Sequence, residues 1–379
     1  MMKIGYDAKR IVRNGTGLGN YGRTLVNDIA QYDVQLDLRL YAPDKGRDEL
    51  RGQIVAQDNV SFCYPHDSAL PFAKAWWRTK GMVKDLQRDQ IQVYHGLSGE
   101  LPYGISKTNI RSVVTIHDLI FLRHPEYYHW LDTKIYTWKF LQTIKEADHI
   151  IAISECTKRD IMEFGEVDGS QISVIHQSCA PRFAKEEVRG NKERLRVGAS
   201  AGMDGRYILS VGSIEERKNI LLAVKALPML PEDLQLVIVG RHTKYTDVVQ
   251  EYVQRHGLTQ RVKILHGVKN EELPDLYAEA EAFVYPSVYE GFGIPIIEAI
   301  STGLPVVACT GSCLEEAGGP DNLYVVPDDA EGMAAAIRQV LRGAEGREER
   351  ILRSQAYIRR FEGQNVAQQV INLYHQLIY

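Results

Sequence analysis

Two glutamates, eight positions apart, are the residues of this chain whose type and spacing best suit chemistry. Glu290 and Glu298 enclose the glycine-rich residues 291–293, which are followed by Pro295. Glycines let backbone N–H groups approach a ligand, and proline favours the first turn of a helix, so Glu298 is predicted to lie just inside a helix. A helix N-terminus attracts anions, whereas carboxylates accept hydrogen bonds from hydroxyl groups. The stretch therefore predicts a ligand that carries both phosphate and sugar.

A pair of adjacent cations, Arg217 and Lys218, follows a predicted strand at 207–212 and precedes a predicted helix. Ligands of open α/β sheets bind at the carboxyl ends of the strands. A guanidinium and an ammonium there could neutralise a diphosphate and stabilise it as a leaving group. A solvated turn, with Glu215 and Glu216 as partners, is the alternative. Because the glutamate stretch belongs to the same predicted sheet, the ligand interpretation is favoured.

The N-terminal half ends one of its predicted strands in two polar residues, His117 and Asp118. A single histidine is often structural, but a position after a buried strand favours an active-site role.

A glycine run in the same half, Gly15 to Gly22, formally contains the dinucleotide-binding fingerprint at residues 17–22. In that motif the first glycine follows the strand at once, whereas nine residues separate Asp7 from Gly17. We therefore favour a loop that closes on a substrate over a nicotinamide or flavin site. A plain turn before a helix is the remaining alternative.

Short apolar strands alternate with helical segments along both halves of the chain, which is typical of parallel sheets covered on both faces. The predicted strands of the first half are 3–7, 34–41, 60–64, 91–95, 112–118, 149–154 and 172–176. Those of the second half are 207–212, 234–240, 262–265, 282–285, 304–308 and 323–326. We predict an α/β protein with two Rossmann-like, doubly wound domains.

The length of 379 residues suits two domains, and a charged, then small and polar, stretch at 181–205 marks their junction. We predict domains at 1–190 and 191–362, and a helix at 363–379 that could cross back to the first domain.

A net charge of −4 indicates no whole-chain attraction to nucleic acid. Without an apolar signal region or a membrane-spanning run, and with five scattered cysteines, the protein is expected in the cytoplasm.

A stretch that begins at Phe72 and ends at Lys84 mixes aromatic residues with cations on a predicted helix. Such a helix could rest on the inner face of the cytoplasmic membrane. The alternative is a surface helix whose tryptophans, Trp76 and Trp77, pack inward.

These features occur in the same order as in glycosyltransferase family 4, and the chain resembles that family over nearly its whole length. The resemblance is strongest at 207–327, and segments 115–128, 152–160 and 284–293 resemble bacterial mannosyltransferases of polysaccharide assembly. The resemblance implies the GT-B architecture, with two domains facing a central cleft. It also implies transfer of a sugar from a nucleotide diphosphate to a hydroxyl group of a glycan or lipid-linked acceptor, with retention of configuration.

The resemblance also implies roles for individual residues. Arg217 and Lys218 would hold the donor diphosphate, Glu290 the sugar hydroxyls and Glu298 the ribose, while His117 would lie at the reacting sugar. The other implied donor-binding residues are Gly15, Gly17, Gly19, Val268, Gly291, Phe292, Gly293 and Ile294. Many relatives carry an additional arginine where this chain has Ser213, so fewer cations would compensate the phosphates.

For the acceptor, positions near strand ends indicate Glu100, Asp118, Arg123 and Tyr127 as lining residues. The resemblance implies that no metal or cofactor is needed, in keeping with the absence of an Asp-x-Asp motif. The expected donor is GDP-mannose. Three alternatives remain open: a UDP-linked glucose or N-acetylglucosamine donor, a nucleotide-sugar epimerase of the same architecture, and a non-catalytic partner that binds nucleotide sugars.

Overall fold

A computed structural model describes residues 1–65, 71–183 and 205–379, without the side chains of 71–73. The chain divides into two compact units. Unit 1 comprises Met1–Ser178 and Phe361–Tyr379, and unit 2 comprises Cys179–Arg360. The predicted domain boundary at residue 190 lies outside the described residues.

Unit 1 is built on a sheet of seven parallel strands. They are β1 (Lys3–Asp7), β2 (Asp37–Tyr41), β3 (Val60–Cys63), β4 (Val93–Gly96), β5 (Arg111–Ile116), β6 (His149–Ala152) and β7 (Ile172–Val174). Their spatial order is β3-β2-β1-β4-β5-β6-β7. The order reverses between β1 and β4, and in open α/β sheets ligands bind in the crevice at the carboxyl ends of strands at such a switch point.

Helices connect the strands of unit 1. They are α1 (Lys9–Arg13), α2 (Gly17–Tyr32), α3 (Asp48–Arg51), α4 (Pro71–Trp76), α5 (Met82–Arg88), α6 (Ile120–Arg123), α7 (Trp130–Glu146) and α8 (Glu155–Gly165). A π-helical turn at Trp77–Gly81 joins α4 to α5.

Unit 2 has a sheet of six parallel strands. They are β8 (Arg206–Val211), β9 (Leu234–Val239), β10 (Val262–Leu265), β11 (Ala282–Tyr285), β12 (Val306–Cys309) and β13 (Leu323–Val325), in the order β10-β9-β8-β11-β12-β13. Its helices are α9 (Ile220–Ala226), α10 (Lys244–Arg255), α11 (Leu273–Glu279), α12 (Ile294–Thr302), α13 (Leu314–Gly318), α14 (Ala330–Arg338) and α15 (Arg347–Ile358). The switch point of this sheet lies between β8 and β11. The two doubly wound sheets confirm the predicted fold class.

The last helix, α16 (Gly363–Ile378), follows unit 2 in sequence and packs in unit 1. Its apolar face, which includes Val366, Val370 and Tyr374, joins the core that surrounds β1 and α2. This core buries side chains such as Ile4 and Leu25 completely or nearly so, which makes α16 an integral part of unit 1.

The prediction of a long glycine loop before a helix at 21–30 is wrong. Two helices occupy this region, since α1 ends at Arg13 and α2 already begins at Gly17. Gly19 lies inside α2, where an added Cβ would stand 1.8 Å from the Asn14 carbonyl oxygen. The glycine is therefore required by close packing of α2 on the preceding turn. In the described part of the chain, no helix is long and apolar enough to span a bilayer.

Candidate active site

The carboxylate of Glu290 lies between the two cations that the sequence singled out. Glu290 stands in the loop after β11, and Arg217 and Lys218 follow β8, so all three lie at the switch point of unit 2. One carboxylate oxygen is 3.1 Å from Nη1 of Arg217, and the other accepts a hydrogen bond from Nζ of Lys218. Glu290 is only 8% exposed, so the pairing takes place largely out of water.

The pairing keeps all three groups charged at neutral pH. Burial acts to raise the pKa of Glu290, but the charges of Lys218 and then Arg217 outweigh it and lower that pKa to about 2. Burial acts to lower the pKa of Lys218, but the Glu290 charge outweighs it and raises that pKa. Nζ of Lys218 also donates to the Tyr285 hydroxyl at 2.8 Å. The site therefore presents a fixed charge pattern to a ligand.

A buried thiol fixes the glycine loop between the two glutamates. Sγ of Cys313 donates to the carbonyl oxygens of Glu290 and Phe292, at 3.0 and 2.8 Å. Gly293 has φ +137°, and an added Cβ would lie 3.1 Å from Cβ of Ala317. The loop shape therefore requires glycine at 293 and a small donor at 313. Nothing in the sequence pattern indicated the part played by Cys313.

The surroundings of Glu298, in the second turn of α12, shift its pKa in the direction opposite to that of Glu290. Its Oε2 accepts a hydrogen bond from the Tyr277 hydroxyl at 3.0 Å. Burial raises the pKa of Glu298 to about 7, and the Tyr277 hydrogen bond and the charge of Arg182 oppose it only partly. The residue keeps part of its surface exposed, but its carboxyl lies deep among protein atoms. Near neutral pH this carboxyl can be either protonated or charged.

A pH-dependent stability difference is expected for Glu298→Gln. The unfolded chain releases this proton near pH 4.5, whereas the folded chain retains it until about pH 7. The wild type therefore loses stability as the pH rises through this window. Urea unfolding at pH 5 and pH 8 should show the variant gaining about 1–3 kcal/mol relative to wild type at the higher pH, with the partial exposure of Glu298 reducing the effect. Glu345→Gln, at an exposed carboxylate, is the matched control; equal behaviour of the two variants would contradict the assignment.

His117 follows β5 at the carboxyl edge of the unit 1 sheet. Its Nε2–H donates to the Leu97 carbonyl oxygen at 2.8 Å, and its Nδ1 accepts from the Gln177 side-chain amide at 2.8 Å. Burial lowers the pKa of His117 to about 4, and the charge of Arg10 acts in the same direction. The imidazole is therefore neutral at physiological pH, with both nitrogens engaged. This arrangement suits a residue that orients a ligand better than one that takes up a proton.

A chain of buried polar side chains extends from His117 to the last helix. The Tyr21 ring meets the His117 ring edge-on, with 4.7 Å between centroids, and its hydroxyl is 3.0 Å from Oγ1 of Thr115. His95 joins Thr115 to Tyr374 through two hydrogen bonds of 2.7 Å. Sequence reasoning missed these residues. The only available signal was the presence of polar residues, His95 and Thr115, inside apolar strands.

The residues predicted to line the acceptor site lie in unit 1, and several have protein partners. Asp118 accepts a hydrogen bond from the Ile120 backbone N–H at 3.2 Å, at the start of α6. The Arg123 guanidinium binds Asp160 and Glu163 on α8. Tyr127 lies in the turn that precedes α7. Arg123 therefore holds α6 against α8, and its acceptor role stays a prediction, as do those of Asp118 and Tyr127.

The fourth predicted acceptor residue, Glu100, stands in the loop after β4. Its carboxylate pairs with Arg78, in the π-helical turn, and lies 3.6 Å from Nζ of Lys139. The carboxylate is therefore held at the carboxyl edge of the sheet, and its acceptor role stays a prediction.

The remaining predicted donor-binding residues are spread over both units. Gly15 lies in the short turn before α2, and Gly17 and Gly19 are in its first turn. Val268 is half-buried in the loop after β10, Gly291 and Phe292 are buried beside Glu290, and Ile294 begins α12. The structure thus joins Arg217, Lys218, Glu290 and the glycine loop into one site, with Glu298 on the adjoining helix.

The stretch that was predicted to contact a membrane contains one exposed and one buried tryptophan. Trp76 is 56% exposed, whereas Trp77 is buried and its Nε1 donates to Asp85 at 2.6 Å. The side chain of Phe72 lies outside the described residues. Membrane contact through this stretch stays a prediction.

The two-sheet architecture matches solved enzymes over essentially the whole chain. Sucrose-phosphate synthase from Thermosynechococcus elongatus superposes with a TM-score of 0.78 at 20% identity, covering 100% of this chain and 99% of that one. HepE from Anabaena, solved with UDP-glucose, superposes with a TM-score of 0.74 at 17% identity, covering 99% and 100%. The fold is that of the GT-B glycosyltransferases.

Sequence comparison gives the family. The model for "Glycosyltransferase Family 4" matches residues 16–178, and that for "Glycosyl transferases group 1" matches 191–357. The O-antigen chain mannosyltransferase B of Escherichia coli is 32% identical over 391 residues, covering 99% of this chain and all of the relative. The O-antigen chain mannosyltransferase RfbU of Salmonella typhimurium is 31% identical over 261 residues, 68% of each chain. The chain belongs to glycosyltransferase family 4, as its motifs indicated.

Proposed function

We propose that this glycosyltransferase transfers mannose from GDP-mannose, with retention of configuration and without a metal ion, to a hydroxyl group of a glycan or lipid-linked acceptor during cell-surface polysaccharide synthesis. The observation that carries the proposal is the buried group formed by Arg217, Lys218 and Glu290 at the switch point of unit 2. The names of the two bacterial relatives support mannose as the sugar and a polysaccharide as the product.

The charge pattern of this group suits the departure of a diphosphate. As the bond between the sugar C1 and the diphosphate oxygen breaks, negative charge grows on the diphosphate, and Arg217 and Lys218 would stabilise it. In metal-using enzymes a divalent ion stabilises the departing diphosphate in the same way. The acceptor oxygen forms the new bond to C1 on the same face, and its proton passes to an oxygen of the departing diphosphate. Glu290 would accept hydrogen bonds from hydroxyls of the transferred sugar.

The charge balance of this group bears on which ligands would bind. Glu290 neutralises part of the charge of Arg217 and Lys218, leaving one net positive charge in a partly desolvated place. A diphosphate would bind the same two cations as Glu290 and so weaken the interactions that Glu290 makes with them. Hydroxyl groups of the sugar would then donate hydrogen bonds to the Glu290 carboxylate in their place. A ligand that carries both phosphate and hydroxyl groups should therefore bind more tightly than inorganic diphosphate alone.

A donor panel tests the proposal. The full chain is incubated with GDP-mannose, UDP-glucose and UDP-N-acetylglucosamine in the presence of EDTA, and binding and slow hydrolysis are measured. GDP-mannose should bind and be hydrolysed with unchanged rate in EDTA, because the two cations do not depend on a metal. Absence of binding and hydrolysis for every donor would refute the donor site, and loss of activity in EDTA would refute metal independence. The anomeric configuration of the product, read by NMR, decides retention.

A UDP-sugar donor is the second candidate, because the structurally similar HepE was solved with UDP-glucose. Preferential turnover of UDP-glucose in the panel would select it. An epimerase would instead change the donor sugar without any acceptor, and a non-catalytic partner would bind donors without turnover.

A further inference from the structure

Charged side chains also lie at the switch point of unit 1, together with the neutral His117. Lys9 and Arg10 begin α1, one residue beyond the end of β1. Glu100 follows β4, and His117 follows the neighbouring β5. Because parallel strands end at one edge of the sheet, these side chains belong to the crevice in which open α/β sheets bind ligands. Unit 2 carries Arg217, Lys218 and Glu290 at the equivalent place.

Two carboxylates at this edge of unit 1 are already neutralised. Nη2 of Arg78 lies 2.5 Å from Oδ2 of Asp7, and the same guanidinium pairs with Glu100. The Arg78 side chain is 12% exposed and that of Asp7 is 2% exposed, so this ion pair is buried. Glu100 has a second cation, Lys139, and Asp7 also accepts the Lys9 backbone N–H at 3.1 Å. Arg78 and Lys139 therefore account for both negative charges.

Lys9 and Arg10 add two positive charges to those of Arg78 and Lys139, which already balance the two carboxylates. Lys9 and Arg10 are both half-buried, and within residues 1–65, 71–183 and 205–379 neither side chain makes an ion pair or a hydrogen bond. Burial and then the charge of Arg78 lower the pKa of Lys9, and the charges of Glu100 and Asp7 oppose this only partly. The charge of Arg10 also lowers the pKa of His117. Partly buried cations that form no ion pair are unfavourable, so a bound anion would stabilise this edge.

We propose that Lys9 and Arg10 form a phosphate-binding subsite at the switch point of unit 1, taking the phosphoryl or diphosphoryl group of a substrate. The excess of two positive charges matches a phosphate or diphosphate better than a single carboxylate, and a guanidinium offers two parallel hydrogen bonds to phosphate oxygens. The difference from unit 2 is that, within the described residues, neither of these two cations forms an ion pair with a carboxylate. The choice of sources rests on the proposed function: the group comes from the donor nucleotide or from an isoprenoid diphosphate that carries the acceptor.

Calorimetric titration of the full chain with GDP and with farnesyl diphosphate separates the two sources. The wild type is compared with a double variant, Lys9→Gln with Arg10→Gln, and with Arg159→Gln. Arg159 is an exposed cation of α8 in the same unit, also without an ion pair or hydrogen bond within the described residues. Because neither side chain makes an ion pair or a hydrogen bond within the described residues, the double variant should keep the thermal unfolding of wild type. Each single variant is titrated as well, which covers the case of a double variant that does not fold.

The double variant should lose at least 10-fold in affinity for one of the two probes, since two charge-assisted contacts are removed. A loss confined to farnesyl diphosphate assigns the subsite to a lipid-linked acceptor, and a loss confined to GDP assigns it to the donor. Affinities for both probes within two-fold of the Arg159→Gln control would overturn the proposal. Failure of the wild type to bind any nucleotide sugar would contradict the proposed function alone, because the farnesyl diphosphate titration tests the subsite independently.

Discussion

Glu290→Gln should lower kcat by much more than about 10-fold, that is by more than about 1.4 kcal/mol of transition-state stabilisation. The glutamine keeps the size of the side chain but removes the charge that holds Arg217 and Lys218 in place. It also offers the transferred sugar a weaker acceptor for its hydroxyl hydrogen bonds. Because these interactions grow as charge develops on the sugar ring, the loss should fall on kcat more than on KM.

Single-turnover rates with saturating donor give the measurement for this variant. Glu345→Gln serves as the control, since it makes the same change at an exposed position of unit 2. Circular dichroism and thermal unfolding establish that the variant is folded, because a neutral side chain at 290 leaves two buried cations poorly compensated. A folded Glu290→Gln protein with near-normal kcat would refute the role given to Glu290.

Lys218→Met should have an effect of comparable size, but on binding of the diphosphate as well. The methionine fills most of the space and leaves Glu290 with Arg217 as its remaining cation, so the pKa of Glu290 rises. We expect affinity for GDP to fall at least about 10-fold, in keeping with loss of a charge-assisted contact, while affinity for guanosine changes little. Turnover should fall further, because the departing diphosphate loses a cation.

Isothermal titration with GDP and guanosine measures the difference between the two ligands. Lys244→Met is the matched control, at an exposed lysine of α10. Equal losses for GDP and guanosine would indicate that Lys218 shapes the site without meeting phosphate, and an unchanged GDP affinity would exclude it from the donor site.

Strand positions were predictable because burial on both faces of a parallel sheet demands short apolar runs. The strands at Lys3–Asp7, Val262–Leu265 and Ala282–Tyr285 have the predicted bounds. The region between Asp7 and Tyr21 was not predictable in the same way. Its glycines and polar residues are typical of a loop, yet packing of Gly19 against the Asn14 carbonyl allows α2 to begin there.

The positions of the charged residues of the site were predictable from the sequence, but their pKa values were not. Arg217, Lys218 and Glu290 stand at strand ends, which sequence patterns reveal. The opposite pKa shifts of Glu290 and Glu298 depend on which side chains surround each carboxyl, and the sequence holds two identical residues. Cys313 lies over 20 positions from the two carbonyl oxygens to which its thiol donates, so only folding brings them together.

The position of α16 has a consequence for biogenesis. Tyr374 binds His95 across 279 positions of sequence, and Val366 and Val370 complete the core of unit 1. During synthesis on the ribosome all of unit 2 must emerge before this helix does. Unit 2 can therefore fold as a continuous segment, whereas unit 1 waits with an apolar surface open to solvent. Nascent chains halted before Gly363 should thus engage chaperones through unit 1.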